Sequence, residues 1–309
     1  MEIRQLRHFI AVVEAGNLRK ASENTHITHP ALSMSLKSLE SSLGVKLLER
    51  DRRGIALTYA GEKFLPAAHS LLKQIDDLRS SLLGTQDSPT GNVRLGIPYG
   101  INNALAAPLF KQLQERYPGI NLIIEEGNTT SLERSFDNDL LDLMISYDIQ
   151  KKLDQKSEPL YVEQLYLVSA FDPTLAQDAE INFADLVNFP IVSSPGTHSM
   201  RRTLERYAFE NGIQFDFSLD FQSAHSSLKI AVEGLAHTIA PWDLIHDHVR
   251  GNLISARRIV SPCMERTACL VSSLRGVHTT ATDAVISSIK SAIDSARKDD
   301  KIRGRSFIH

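Results

Sequence analysis

The sequence predicts an α/β protein in two parts, a mainly helical N-terminal block and a larger body of alternating strands and helices. Three observations lead there. Helical apolar spacing fills the first 43 residues and gives way to a short hairpin pattern. A long helical pattern with heptad spacing follows from residue 60. After a stretch bearing Gly84, Pro89 and Gly91, the periodicity changes to repeated strand–helix–strand units, the mark of a mostly parallel sheet covered by helices. A length of 309 residues accommodates two or three compact units.

The first helix is read from Leu6, Phe9, Ile10 and Val13 and stops at Gly16-Asn17. A second presents Leu18, Ala21 and Ser22. A third starts at Thr28-His29-Pro30, with Thr28 as N-cap and Pro30 tolerated in the first turn. Its apolar stripe is Ala31, Leu32, Leu36, Leu39 and Leu43, and Gly44 ends it. Residues 45–50 and 55–58 read as two strands joined by the basic turn Asp51-Arg52-Arg53-Gly54. Along the next helix Ala68, Leu71, Ile75, Leu78 and Leu82 alternate by three and four, an a/d seam that pairs with a copy of itself; packing on its own domain is the alternative.

In the second part, strands are expected at 93–97, 122–126, 141–146, 165–170, 190–193, 218–222, 237–241 and 267–273, with helices near 103–116, 130–139 and 280–297. The tail 298–305 is charged and expected to fray.

Three helices and a basic-tipped hairpin is the order of a winged helix-turn-helix. A helix fits the major groove of double-stranded DNA, where its N-terminal residues reach base edges. Thr28, His29, Ser33, Met34 and Lys37 stand at that end, and Arg50, Arg52 and Arg53 on the hairpin can follow phosphates. Charge agrees: residues 1–60 hold nine Lys and Arg against six Asp and Glu, within a chain of net charge −3.

These residues carry a specific resemblance. The run Leu6–Leu18, then Ala21-Ser22, Thr28–Ser33, Leu39-Glu40, Leu43–Val45, Leu47–Arg50 and Leu57–Gly61 resembles the LysR-type transcriptional regulators. Weaker similarity continues through Gly96–Pro98, Glu126-Gly127, Leu141–Leu143 and Pro241-Trp242. The resemblance implies a DNA-binding domain at 1–59 with Pro30 among its DNA-facing residues. It implies a dimerising linker helix and hinge at 60–90, and a two-lobed, periplasmic-binding-protein-like (type 2) effector domain at 91–300. Lobe I is expected at about 91–161 and 267–297, lobe II at about 162–266, and a tail at 301–309. It further implies a homodimer or homotetramer, promoter DNA and RNA polymerase as partners, and no cofactor. The chain departs from the family at His29, where Gln is usual, and at Met34 and Ser35, where Arg and Gln are frequent. A different base preference is expected. His29 reads as a base or phosphate contact, or as an exposed residue at the helix start.

Ligands of open α/β sheets lie at strand C-termini beside helix N-termini. That rule selects Pro98, Tyr99, Gly100, Asn102, Thr129 and Thr130 from lobe I, and Ser193, Ser194, His198, Arg201 and Arg202 from lobe II. His225 and Trp242 each follow an expected strand. Helix starts and arginines favour an anionic effector. The alternatives are arginines on a solvated helix face and a Trp used in packing.

Other classes fare worse. GxSxG, GxGxxG, Walker and HExxH motifs are absent, which disfavours an enzyme. Asp243, His246 and His248 match no strong metal spacing. An exported solute-binding protein would need a secretory signal, and Met1–Arg7 is polar and mixed in charge. No apolar run approaches the roughly 18 residues of a membrane span. A cytoplasmic location is expected. Cys263 and Cys269 are too few for a disulfide scaffold; a redox switch and inert buried thiols are the two readings of them.

Overall fold

The computed structural model describes the chain except Arg52, Arg53, residues 84–87, Asp148, residues 150–153, Gln177, Thr197, Asp216, Gln222, residues 275–278 and His309. The expectations for Arg52 and Arg53, and for the side chains of Arg50 and Leu82, lie outside what it describes. Two compact units separate: Met1–Leu83 with Ser135–Leu141, and Gly84–Arg134 with Asp142–His309.

In the first unit, α1 (Ile3–Ala15) opens with a reciprocal capping box between Glu2 and Gln5 and closes at Gly16, φ 69°. The Asn17 side chain accepts from the Lys20 N–H at 2.9 Å and starts α2 (Leu18–Thr25). Helix α3 (His29–Leu43) follows, ending at Gly44, φ 71°. Strands β1 (Leu48–Asp51) and β2 (Gly54–Leu57) form the antiparallel hairpin. The Ile55 N–H donates to Gly16 O at 3.0 Å, and a Cβ on Gly54 would stand 2.6 Å from that same oxygen. Helix α4 (Tyr59–Leu83) completes the unit. Leu6, Phe9, Leu32, Leu36, Leu39 and Leu47 form the core, closed by Phe64 edge-on to Phe9.

The second unit contains β3 (Gly91–Pro98), α5 (Tyr99–Arg116), β4 (Ile120–Gly127), α6 (Thr129–Asp137), β5 (Leu143–Tyr147) and β6 (Gln155–Ala170). Then come β7 (Glu180–Asn182), a 3-10 turn at Phe183–Asn188, β8 (Ile191–Ser193), α7 (Ser199–Glu210), β9 (Phe217–Asp220) and α8 (Ala224–Val232). The chain ends with β10 (His237–Pro241), α9 (Trp242–Arg250), β11 (Ile254–Val260), β12 (Glu265–Ser273), α10 (Thr280–Lys298) and β13 (Gly304–Ser306).

The strands pair in the order β4-β3-β5-β12-β6-β10-β8-β9, with β11 and β13 also on β6. Strand β6 serves both lobes. Its first half pairs with β12 and β13, its second half with β10 and β11. One core, around Leu95, Leu105, Ile145, Leu270 and Ile289, fills lobe I. Lobe II has a core on each face of its sheet, one around Leu167, Phe183 and Leu204, the other around Val168, Trp242 and Ile245.

Two expectations are corrected. The sheet is not mostly parallel. Pairs joined through crossover helices are parallel, such as β3 with β4 and β8 with β10, but β6 meets β10, β11, β12 and β13 antiparallel. Nor is the tail frayed. Ile302 is buried, and β13 pairs with β6. Gly304, φ 128°, makes this possible, because a Cβ there would fall 1.9 Å from Val162 O.

Glu40 ties α3 to the hairpin. Its carboxylate accepts the N–H groups of Leu47 (2.9 Å) and Leu48 (3.1 Å) and the Lys46 ammonium (2.7 Å). Burial acts to raise its pKa; these donors outweigh burial and hold it below the ordinary 4.5. Glu40→Ala should destabilise the protein by about 2 kcal/mol, because two backbone donors lose a charged acceptor. Lys46→Ala should cost under about 1 kcal/mol, since that ammonium is exposed. The Glu40 contribution is present above pH 4.5 and fades as pH falls through its lowered value. Denaturant titrations of the three proteins across acid pH check both claims.

Candidate functional site

Helix α3 turns Leu32, Leu36 and Leu39 inward, which leaves the opposite stripe outward. Thr28, His29, Pro30 and Lys37 are exposed, Ser33 is half-buried, and Met34 is 71% exposed. Thr28 occupies the N-cap position without a side-chain capping bond. The inner polar edge of α3 is pinned by α1. The Gln5 amide donates to Ser38 Oγ at 3.1 Å, and His8 Nδ1 lies 2.7 Å from Ser35 Oγ. Ser35 is therefore turned toward α1, at a position where the family resemblance implies a DNA-facing side chain. Burial, helped by the Arg4 charge, pulls the His8 pKa down and favours neutral imidazole.

Helix α4 divides its expected seam. Ala68 is fully buried in the N-terminal core beside partly buried Phe64, Leu65 and Leu72, so it packs on its own domain. Leu71 and Leu78 are 38% and 52% exposed, and Ile75 is half-buried.

In the second unit a cavity of about 110 Å³ opens at the strand ends. Pro98, Tyr99, Gly100, Thr129, Ser194 and His198 line it, together with Ser193. Thr129 and Ser199, at the starts of α6 and α7, share a hydrogen bond of 3.1 Å. The His198 pKa is lowered by burial and then by Arg202.

The other expected residues lie outside this cavity. Asn102 and Thr130 are half-buried, and Arg202 and His225 are exposed. Arg201 binds Glu205 at 2.7 Å and Asp220 at 3.0 Å and stacks on Phe217. Trp242 is packed against Tyr166, donates from Nε1 to Asp300 O at 2.8 Å, and carries the Arg303 guanidinium on its ring. His246 is buried with Nδ1 against Asp243 O, and no group of His, Cys, Asp and Glu among the described residues is arranged to hold a metal. Cys263 is exposed, Cys269 is buried, and neither lines the cavity.

Sequence reasoning missed the cavity floor. Arg266 lines it, 7% exposed, ion-paired to Glu163 directly opposite on β6 and stacked on the Tyr147 ring at 3.6 Å. Asp243 lies behind Gly100, where a Cβ would approach its Oδ1 to 2.8 Å. Tyr161 donates to Asp243 Oδ2 at 3.4 Å. Burial and then the Glu163 charge push the Asp243 pKa well up, which favours the uncharged carboxyl. The signal available in the sequence was a set of charged residues, Glu163 and Arg266, inside apolar strand patterns.

Residues 3–62 match the bacterial regulatory helix-turn-helix of the lysR family, and residues 86–294 match the LysR substrate binding domain. The chain belongs to the LysR family. This regulator is 26% identical to the HTH-type transcriptional activator CmpR of Synechocystis sp., over 75% of this chain and 76% of that one. It is 24% identical to the DNA-binding transcriptional dual regulator OxyR of Escherichia coli K12, covering 78% and 79%. In fold it is similar to CbnR, a LysR family transcriptional regulator, with a TM-score of 0.72 at 22% identity, covering 94% of this chain and 99% of that one. Among the described residues, no helix is long and apolar enough to cross a membrane.

Because Asp243 binds its proton more tightly folded than unfolded, stability should fall as pH rises from 3.8 toward its raised value. Asp243→Asn removes that loss. The thermal midpoint of the variant should rise relative to the parent with increasing pH; parallel pH profiles for the two proteins would show that Asp243 is ionised in the fold.

Proposed function

We infer that this LysR-family regulator binds promoter DNA sequence-specifically through α3 and the hairpin, and that its cavity takes a small anionic metabolite as effector. One observation carries the second part. The first turns of five helices meet at one cavity: Tyr99 of α5, Thr129 of α6, Ser199 of α7, Ala224 of α8 and Leu244 of α9 all line it. Each helix start presents the positive end of a dipole, with one first-turn N–H of α6 and of α8 taken by the caps Asn128 and Ser223, and Arg266 adds a guanidinium. Burial favours the uncharged form of the Asp243 carboxyl, while the Arg266 charge is shared with Glu163.

CbnR, similar in fold, has a structure in complex with its target DNA. The exposed stripe His29, Pro30, Met34 and Lys37 supports the same use of α3 here. Met34 suits a thymine methyl and Lys37 a phosphate. A homodimer or homotetramer joined along α4, acting in the cytoplasm on RNA polymerase, completes the reading. Sensing by a cysteine couple is disfavoured, since neither thiol lines the cavity.

The deciding experiment is a thermal-shift screen of the full-length protein against organic acids, each beside its neutral amide. An acid at 100 times its dissociation constant should add about 2.7 kcal/mol of stability. Amides that stabilise as well as their acids would remove the anionic reading.

Leu71→Ala with Leu78→Ala should raise the dimer dissociation constant roughly tenfold or more, by removing apolar area from the seam, and weaken operator binding with it. Sedimentation showing an intact dimer would place the seam elsewhere.

A further inference from the structure

A second hollow, of about 510 Å³, lies between the turn after β6, the end of α9 and the start of β11. No residue lines both it and the cavity at the strand ends. Its lining is largely apolar: Leu175, Trp242, Val249, Ile254 and Ala256. Phe171 is exposed and adds a second aromatic ring. The volume falls within the roughly 300–1,000 Å³ of small-molecule sites, which combine an apolar lining with a few polar groups.

Two opposite charges share this hollow without meeting. Asp172 and Arg250 both line it, and among the described residues no ion pair joins them. The Thr174 hydroxyl and N–H donate to Asp172 Oδ1 at 2.6 and 2.9 Å and hold the carboxyl below its ordinary 3.8. The Arg257 charge adds to this without forming an ion pair. Asp172 Oδ2 accepts no hydrogen bond within the described chain. Arg250 makes all its contacts through one terminal nitrogen, to Asp299 O at 2.7 Å, Asp300 O at 3.5 Å and the Asp300 carboxylate at 3.8 Å. Its Nε and its other terminal nitrogen keep their donors. The Asp300 carboxylate, by contrast, is taken by Arg303 at 2.7 and 2.9 Å. The hollow thus offers one negative acceptor and one positive donor set, both with capacity to spare, beside an apolar lining.

We propose that this hollow binds a zwitterion of the α-amino-acid class with a large apolar side chain, its ammonium on Asp172, its carboxylate on Arg250 and its apolar part against Trp242, Val249 and Ile254. A lone anion gains Arg250 and is repelled by Asp172; a lone cation meets the reverse. A zwitterion satisfies both through charge-assisted hydrogen bonds, which are the strong ones. The proposal is independent of the effector reading of the other cavity, since the two share no lining residue. An occupant rests on the first turn of α9, the same turn whose Leu244 lines that cavity.

Trp242 is the one tryptophan of the chain, so its fluorescence reports on the hollow without a label. The probes, added to the full-length protein, are phenylalanine, 3-phenylpropanoate without the ammonium, phenethylamine without the carboxylate, and glycine without the ring. Phenylalanine should change the emission saturably and bind about tenfold or more tighter than each of the other three. Asp172→Asn keeps an acceptor for Thr174 and loses the charge; it should weaken phenylalanine about tenfold and leave 3-phenylpropanoate no weaker. Arg250→Gln should weaken phenylalanine and 3-phenylpropanoate alike and spare phenethylamine. Thermal midpoints without ligand check that each variant is folded. Phenylalanine binding unchanged in both variants would place it elsewhere and overturn the site, with the reading of the other cavity left standing. A probe lacking one charge or the ring that binds as tightly as phenylalanine would overturn the amphiphilic zwitterion, and no saturable change in emission would overturn the proposal outright.

Discussion

The buried pair of Glu163 and Arg266 is the constraint around which the second unit is arranged. The two residues are direct register partners on β6 and β12, where β6 passes from one lobe to the other. Both side chains are nearly sealed from water. Two charges in that position persist only if each satisfies the other, and removing one partner from such a pair typically costs about 3–5 kcal/mol. Their neighbours follow from them. Burial, and after it the Glu163 charge, raises the pKa of Asp243 and of Tyr147, and burial followed by Asp243 raises that of Tyr161. Arg266 orders the Tyr147 ring by stacking. Gly100 is required because Asp243 occupies the space of its Cβ. Burial and this ion pair together shape the electrostatics of the cavity floor.

Much of this architecture was legible in the residues, for a definite reason. Signals that are local in the chain survive in sequence: the Gly16-Asn17 and Gly44 stops, the Leu32–Leu36–Leu39 stripe, and the helix starts at Thr129 and Ser199. The cavity residues foreseen, Pro98 through Gly100, Thr129, Ser194 and His198, all sit where a strand ends and a helix begins, which periodicity alone locates. What escaped depends on pairing between distant segments. Arg266 and Glu163 are 103 residues apart, and nothing local announces their meeting. The final strand escaped for the same reason. Its charged residues read as tail, yet Gly304 allows a backbone approach to Val162 that no side chain would permit.

Trp242 and Ala68 illustrate a second limit. Each stands where a functional pattern predicts it, after a strand end and on a heptad seam. In both cases the core competed for the residue and won. Trp242 buries a large ring and satisfies its one N–H on Asp300 O. Ala68 is small enough to let α4 approach the N-terminal core closely, while Leu71 and Leu78, about one and three turns further along the same seam, stay exposed. A pattern names a face of a helix; packing decides which residues of that face remain available.

The same competition bears on how a ligand can act here. A molecule in the cavity touches helix starts from both lobes, α5 and α6 on one side, α7, α8 and α9 on the other. The lobes are already joined there by the bond between Thr129 and Ser199 and by the contact of Asn103 with Asp243 O. Binding therefore inserts new partners into an interface that has its own. A ligand shifts a conformational equilibrium only by the difference in its affinity for the two states. For this cavity that difference must come from groups contributed by both lobes at once, since donors on one lobe alone move with it and hold the ligand equally well in either state. An effector acting through this cavity would thus have to contact both lobes, and a ligand held by one lobe alone would bind without switching.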